Sequence, residues 1–209
     1  MKAHTKETQA TMTPEKSLRF LKEGNQRFQN NLKANRNLLE QVNDTSEGQF
    51  PFATILSCID SRVSAELVFD QGLGDIFSIR IAGNFVNEDI LGSMEFGCKL
   101  AGTNLVVVLG HTSCGAIKGA CDHARLGNLT ALINKIEPAV AEVKEPTDEN
   151  LRNSKNLDFV NEVATKNVEL TIDNIRQRSK VLSEMEENGE IMIVGAMYDI
   201  STGAVDFFA

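Results

Sequence analysis

Leu105-Val106-Val107-Val108-Leu109-Gly110-His111-Thr112-Ser113-Cys114-Gly115 is the stretch that decides the fold. Its unbroken apolar run predicts a strand over 104–109 buried on both faces, as in a parallel sheet covered by helices on either side. Gly110 ends the run, and His111 and Cys114 stand where the strand gives way to a loop. A second stretch, Phe52-Ala53-Thr54-Ile55-Leu56-Ser57-Cys58-Ile59-Asp60-Ser61-Arg62, repeats the arrangement. Its strand over 52–57 delivers Cys58 and Asp60 at the carboxyl end.

Working outward, further strands are expected over 76–81 and 191–197, then a turn at Ser201-Thr202-Gly203 and a short edge strand before Phe208. Helices fill the intervals. Thr13-Pro14 is an N-cap followed by proline at the first helical position. Leu18, Leu21, Gly24, Asn25 and Phe28 share one helical face, with Leu32 continuing it, and that face can cover its own core or a neighbouring subunit. Residues 34–48 are loop with at most one short helix. Further helices are expected over 65–70 behind Ser64, 90–101 behind Asp89, 115–121, 126–145, 156–177 and 179–188. In the helix over 156–177, Val160, Val163, Ala164, Val168, Ile172 and Ile175 make one stripe. Gly92 and Gly97 inside a helix point to close approach to the sheet. The alternation predicts a single α/β domain over 1–209, with a mainly parallel doubly wound sheet of four strands plus a C-terminal edge strand. Residues 1–12 are expected to be loose and 13–33 to form an N-terminal helical arm.

The 209 residues carry 29 acidic against 21 basic side chains, a net charge of −8, with no Lys/Arg-rich run. That balance argues against nucleic acid and anionic membranes as partners. No apolar stretch approaches the ~20 residues of a membrane-spanning helix. Met1-Lys2-Ala3-His4-Thr5-Lys6-Glu7 lacks the apolar centre of a secretory leader, so a cytoplasmic location is expected. Four cysteines are too few for a disulfide framework.

Doubly wound sheets place ligands beyond the carboxyl ends of their strands, where the strand order reverses. If the first and third strands are neighbours there, Cys58 meets His111 and Cys114. Two thiolates and an imidazole suit zinc with one position left open. The plainer alternative is two buried free cysteines and a hydrogen-bonded histidine, and His-x-x-Cys alone discriminates weakly. The Asp60-x-Arg62 pair beside Cys58 tips the balance to metal, since as a surface ion pair it would contribute little. Cys114 precedes a helix whose free N–H groups favour its thiolate, and Gly115 allows close backbone approach. Cys98 reads as core, Cys121-Asp122-His123 as structural or exposed, and His4 as part of the loose start.

Cys58-Ile59-Asp60-Ser61-Arg62-Val63 and Gly110-His111-Thr112-Ser113-Cys114-Gly115 resemble the paired signatures of the β-class carbonic anhydrases. Arg80-Ile81-Ala82-Gly83-Asn84 resembles a third block of that family, and the likeness covers most of residues 14–208. The resemblance implies that Cys58, His111 and Cys114 bind zinc. It implies reversible hydration of carbon dioxide to bicarbonate by zinc-bound hydroxide, oriented by the Asp60–Arg62 dyad. Asp60 would either orient that hydroxide while paired to Arg62 or fill the fourth position in a closed state.

Gln49 matches a glutamine that binds bicarbonate in one branch of the family, against its reading as a solvent-facing loop residue. Phe77, Ala82 and Phe96 match pocket-wall positions, with Phe96 standing where that branch often has tyrosine. A homodimer or a tetramer is implied. Because two thiolates cancel the charge of zinc, its water should be less acidified than the value of about 7 at tris-histidine sites. Two alternatives use the same ligands: a closed, structural zinc, or a hydrolase of a related heterocumulene such as carbon disulfide. A cysteine phosphatase is disfavoured because arginine follows Cys58 at the fourth position of its loop rather than the sixth.

Overall fold

The computed structural model describes residues 2–208. Its strands are β1 (Ala53–Ser57), β2 (Ile76–Arg80), β3 (Leu105–His111), β4 (Met192–Tyr198) and β5 (Val205–Phe208). They form one sheet in the order β2-β1-β3-β4-β5, parallel throughout except for antiparallel β5. The chain leaves β1 toward β2 on one side and reaches β3 on the other, so the order reverses between β1 and β3. Every residue of those two strands is buried, as their continuous apolar runs require. β3 extends two residues beyond its expected end, because Gly110 and His111 still pair with Met197 and Tyr198.

The helices are α1 (Lys6–Gln9), α2 (Pro14–Gln29), α3 (Leu38–Asp44), α4 (Ala65–Val68), α5 (Glu88–Glu95), α6 (Gly115–Cys121), α7 (Gly127–Ile133), α8 (Glu137–Glu142), α9 (Leu157–Arg178) and α10 (Lys180–Glu187). The pleat of β3 divides them. Leu105, Val107 and Leu109 pack with Leu21 of α2 and with Phe69, whereas Val106 and Val108 pack with Val168, Ile172 and Ile175 of α9. Each fully buried side chain of this kind contributes about 1.5–3 kcal/mol. A Cβ on Gly110 would stand 2.7 Å from Val168 and 2.6 Å from the Met197 sulfur, so glycine lets α9 lie close against β3.

Several expectations are corrected. Of the stretch 1–12, residues 2–12 are not loose. Thr5 caps α1, and Gln9 Nε2 donates to Pro51 O (2.6 Å) and Ala101 O (2.9 Å). The His4 ring lies edge-on to Phe52 at 5.4 Å. Those two carbonyls lie outside the strands, and the Gln9 amide supplies donors to them. The helix of the 13–33 arm stops at Gln29, because Asn31 turns left-handed (φ 54°) and leaves Leu32 exposed. It packs on its own sheet: buried Asn25 donates to Val68 O and Gly203 O and accepts from Val205 N–H. α5 is capped by Asn87 rather than Asp89 and continues as a π-helical turn over Phe96–Leu100. Gly97 touches the sheet there, against Thr54, whereas Gly92 faces open space. The single helix expected over 126–145 is two, because Pro138 opens α8.

Candidate metal centre

The reversal of strand order brings the two loops together. β1 ends at Ser57 beside Leu109 of β3, so Cys58 emerges next to the His111–Cys114 turn. That turn is fixed on three sides. Thr112 N–H donates to Tyr198 O, Thr112 Oγ1 accepts from Ile200 N–H, and Ser113 N–H donates to Asn161 Oδ1. Ser113 takes a left-handed conformation (φ 56°), which throws Cys114 back toward Cys58 as the cap residue of α6.

The candidate ligand atoms of Cys58, His111 and Cys114 all lie within 4.8 Å of one another, and all three residues are buried. The two sulfurs are 3.9 Å apart. Two thiolates on a tetrahedral ion at ~2.3 Å stand about 3.8 Å apart. His111 makes a 3.0 Å hydrogen bond from Nδ1 to Thr112 O, which fixes the proton there, while its buried Nε2 has no hydrogen-bond partner. A metal-binding histidine is held in this way, with one ring N–H on a carbonyl and the other nitrogen bare. The residues present therefore fit a divalent ion with three protein ligands.

Charge follows the same geometry. The Cys114 thiol first, then His111 and the Gly83 N–H, push the Cys58 thiol down against burial. The same contact and burial push Cys114 up. Burial, against a hydrogen bond from Thr103, pushes Cys98 to about 11, and burial with nearby Asp122 does the same for Cys121. Both lie in the core, as expected of Cys98, with Cys121 on the structural side of its reading, and His123 makes an exposed pair with Glu137 at 3.0 Å.

Asp60 stands outside the cluster of three ligand atoms. Arg62 Nε and Nη2 donate to its two oxygens at 2.9 and 2.7 Å, and Arg62 N–H adds a third bond at 3.0 Å. These side-chain bonds come first among the causes that hold the Asp60 carboxyl well below the usual carboxylate range, against its burial. Arg80 clamps the same loop, donating to Cys58 O (3.0 Å) and Asp60 O (2.6 Å). The sequence reading gave Arg80 no such role. Its signals were a charge ending the run Ile76-Phe77-Ser78-Ile79 and its place at the head of the Arg80–Asn84 block.

The other expected site residues divide. Ala82 sits in the turn that brings Gly83 N–H onto Cys58, and Gly115 opens α6 with no chain atom near where a Cβ would stand. Phe77 and Phe96 pair with each other at 6.2 Å in a groove along the β2 edge. Phe77 lies three residues, roughly 10 Å, before the carboxyl end of β2. Gln49 is exposed in a depression with Leu73 and Gly74 and precedes β1, so five strand residues separate it from Cys58. Within one chain neither Gln49 nor the phenylalanine pair joins the ligand cluster, because the length of a strand intervenes.

A family model described as Carbonic anhydrase matches residues 53–205. Carbonic anhydrase 2 of Mycobacterium tuberculosis is 34% identical over 196 residues, spanning 91% of this chain and 90% of that one. The carbonic anhydrase of Mycolicibacterium smegmatis is 32% identical over 199 residues, 92% of each. Among solved structures, the β-carbonic anhydrase CcaA superposes with a TM-score of 0.72 at 26% identity, covering 92% of this chain and 95% of that one.

Proposed function

The chain belongs to the β-class carbonic anhydrase family, and from that premise we propose that it hydrates carbon dioxide reversibly to bicarbonate at a zinc ion held by Cys58, His111 and Cys114. The observation that carries this reading is the buried cluster of Cys58, His111 and Cys114 ligand atoms within 4.8 Å of one another, with the sulfurs 3.9 Å apart and His111 Nε2 left without a hydrogen-bond partner. Bound there, zinc would supply the Lewis acidity that makes water a nucleophile near neutral pH.

The chain's own residues do the rest. An ionised carboxylate offers about four acceptor sites. Arg62 occupies three of those on Asp60, leaving one free to accept an O–H and so aim the oxygen at the substrate carbon. The same three bonds keep Asp60 from becoming the fourth ligand. Gly115 adds no side chain where a small linear substrate would enter, and Ala82 adds a small apolar wall. Gln49, Phe77 and Phe96 can reach such a slot only in a second copy of the chain, which supports a homodimer or a tetramer. Four free thiols suit a reducing compartment, and a cytoplasmic location is proposed on that ground. No helix among the described residues is long and apolar enough to cross a membrane.

Metal analysis combined with stopped-flow hydration, on wild type and Cys58→Ser, tests the reading. One zinc per chain with rapid hydration is expected, and both should be lost in Cys58→Ser. Tightly held zinc without hydration would make the ion structural. Turnover of carbon disulfide without hydration of carbon dioxide would favour the heterocumulene hydrolase.

A further inference from the structure

Helix α9 is tied to both halves of the ligand set, each time by one side-chain amide. Asn161 Oδ1 accepts the N–H of Ser113, the left-handed residue between His111 and Cys114, at 2.9 Å. Asn167 Nδ2 donates to Gly83 O at 2.8 Å, and Gly83 N–H in turn donates to Cys58 Sγ at 3.4 Å. The backbone partners dictate both orientations: an N–H needs the amide oxygen, and a carbonyl needs the amide nitrogen. Asn167 is 3% exposed and interrupts the stripe of Val163, Ala164 and Val168, where an apolar residue would otherwise pack. A polar group at such a place is costly unless it is bonded. The two amides stand six residues apart, roughly 9 Å along the helix axis.

We infer that Asn161 and Asn167 are positioning residues for the metal centre, and that α9 serves as the rigid gauge setting its two ligand loops at the separation an ion requires. Neither touches the ion or the substrate. The inference rests on the metal reading of Cys58, His111 and Cys114. It gives one substitution opposite outcomes at the two positions. Asn161→Asp keeps the accepting oxygen and should be tolerated. Asn167→Asp loses the donor and should not be.

The test uses cobalt(II)-loaded protein, reading the thiolate-to-cobalt absorption bands and the half-life of the ion against a chelator. Asn161→Leu, Asn167→Asp and the smaller Asn167→Ser should show shifted bands and lose cobalt at least tenfold faster, as loss of an outer-shell partner commonly does. Asn161→Asp should keep wild-type bands and a half-life within twofold. Asn167→Ser carries the test if the buried charge of Asn167→Asp prevents folding. A purely structural role would lower the melting temperature of the metal-free variants and leave the cobalt bands unmoved. Wild-type bands and half-life in Asn167→Ser would overturn the inference alone. Absence of thiolate-to-cobalt bands from the wild-type protein would overturn the metal reading and the inference with it.

Discussion

Adding zinc to the metal-free protein at pH 7 should release one proton per chain. The two sulfurs are 3.9 Å apart in the core. At an effective dielectric constant of ~20, two thiolate charges at that distance repel by about 4 kcal/mol, or about 3 pKa units. The pair therefore gives up its first proton readily and keeps its second. Cys58 carries the charge, since it receives the Cys114 thiol and the Gly83 N–H, and both push its thiol down. Cys114, 1% exposed, keeps the proton. His111 keeps its Nδ1 hydrogen on Thr112 O throughout. Zinc needs both thiolates, so binding expels the shared proton. An indicator dye in weakly buffered solution, titrated with zinc, reads stoichiometry from the break and protons from the amplitude. Apparent affinity should rise about tenfold per pH unit between the two macroscopic values of the pair. Two protons released at pH 7 would mean that the thiols titrate as independent neutral groups, and the argument from their separation would fail.

Arg62→Ala should keep one zinc per chain yet lose at least tenfold in hydration rate, because Asp60 loses the fork that holds it off the ion. Arg62→Lys should fall between, since an ammonium cannot reproduce two parallel bonds. Full activity in Arg62→Ala would sink the positioning role of the pair. Hydration should climb from pH 6 toward pH 9, following a water less acidified by a site of no net charge. Asp60 cannot supply that limb: its pairing is complete above the ordinary carboxylate value of about 3.9 and fades only as pH falls through a still lower folded-state value. A stopped-flow profile flat across this range would contradict the charge argument. Asn25→Leu should destabilise the fold by about 3–5 kcal/mol, because Val68 O, Gly203 O and Val205 N–H all lose their partner. Calorimetry should show a melting point lower by about 10 °C. An unchanged melting point would show that α2 is anchored by its apolar contacts alone.

The sheet was legible because β1 and β3 have no polar face: a continuous apolar run flanked by helical periodicity leaves little choice but a covered parallel strand. Helix ends were less legible. Leu32 has the spacing of the α2 stripe, yet Asn31 turns the chain first, and spacing carries no trace of that turn. Asn87 and Asp89 are both capping types, and only the direction of Ile90 N–H, which bonds Asn87 Oδ1, decides between them. Pro138 is a visible breaker within 126–145, and it marks the start of α8. The docking of residues 2–12 rests on Gln9 reaching carbonyls at Pro51 and Ala101, contacts for which local sequence has no signature.

The ligands could be read for the same reason the sheet could, since each stands at a strand end. Arg80, Asn161 and Asn167 act on main-chain atoms of loops far along the chain, so their roles appear only once the topology is known. Asn167 left a mark as a polar residue within an apolar stripe, and Arg80 as a charge at the end of an apolar run, whereas Asn161 left none. What the sequence could not supply was the adjacency of β1 and β3. Neighbouring strands lie about 4.8 Å apart, close to the 3.9 Å between the sulfurs. One intervening strand would move the two loops to roughly 10 Å, beyond the about 3.8 Å that two thiolates span on a tetrahedral ion. The same cysteines and histidine, with the same spacing in sequence, would then hold nothing. Strand order is thus the term that converts two short motifs into a site, and every property argued for Asp60, Arg62 and α9 depends on it.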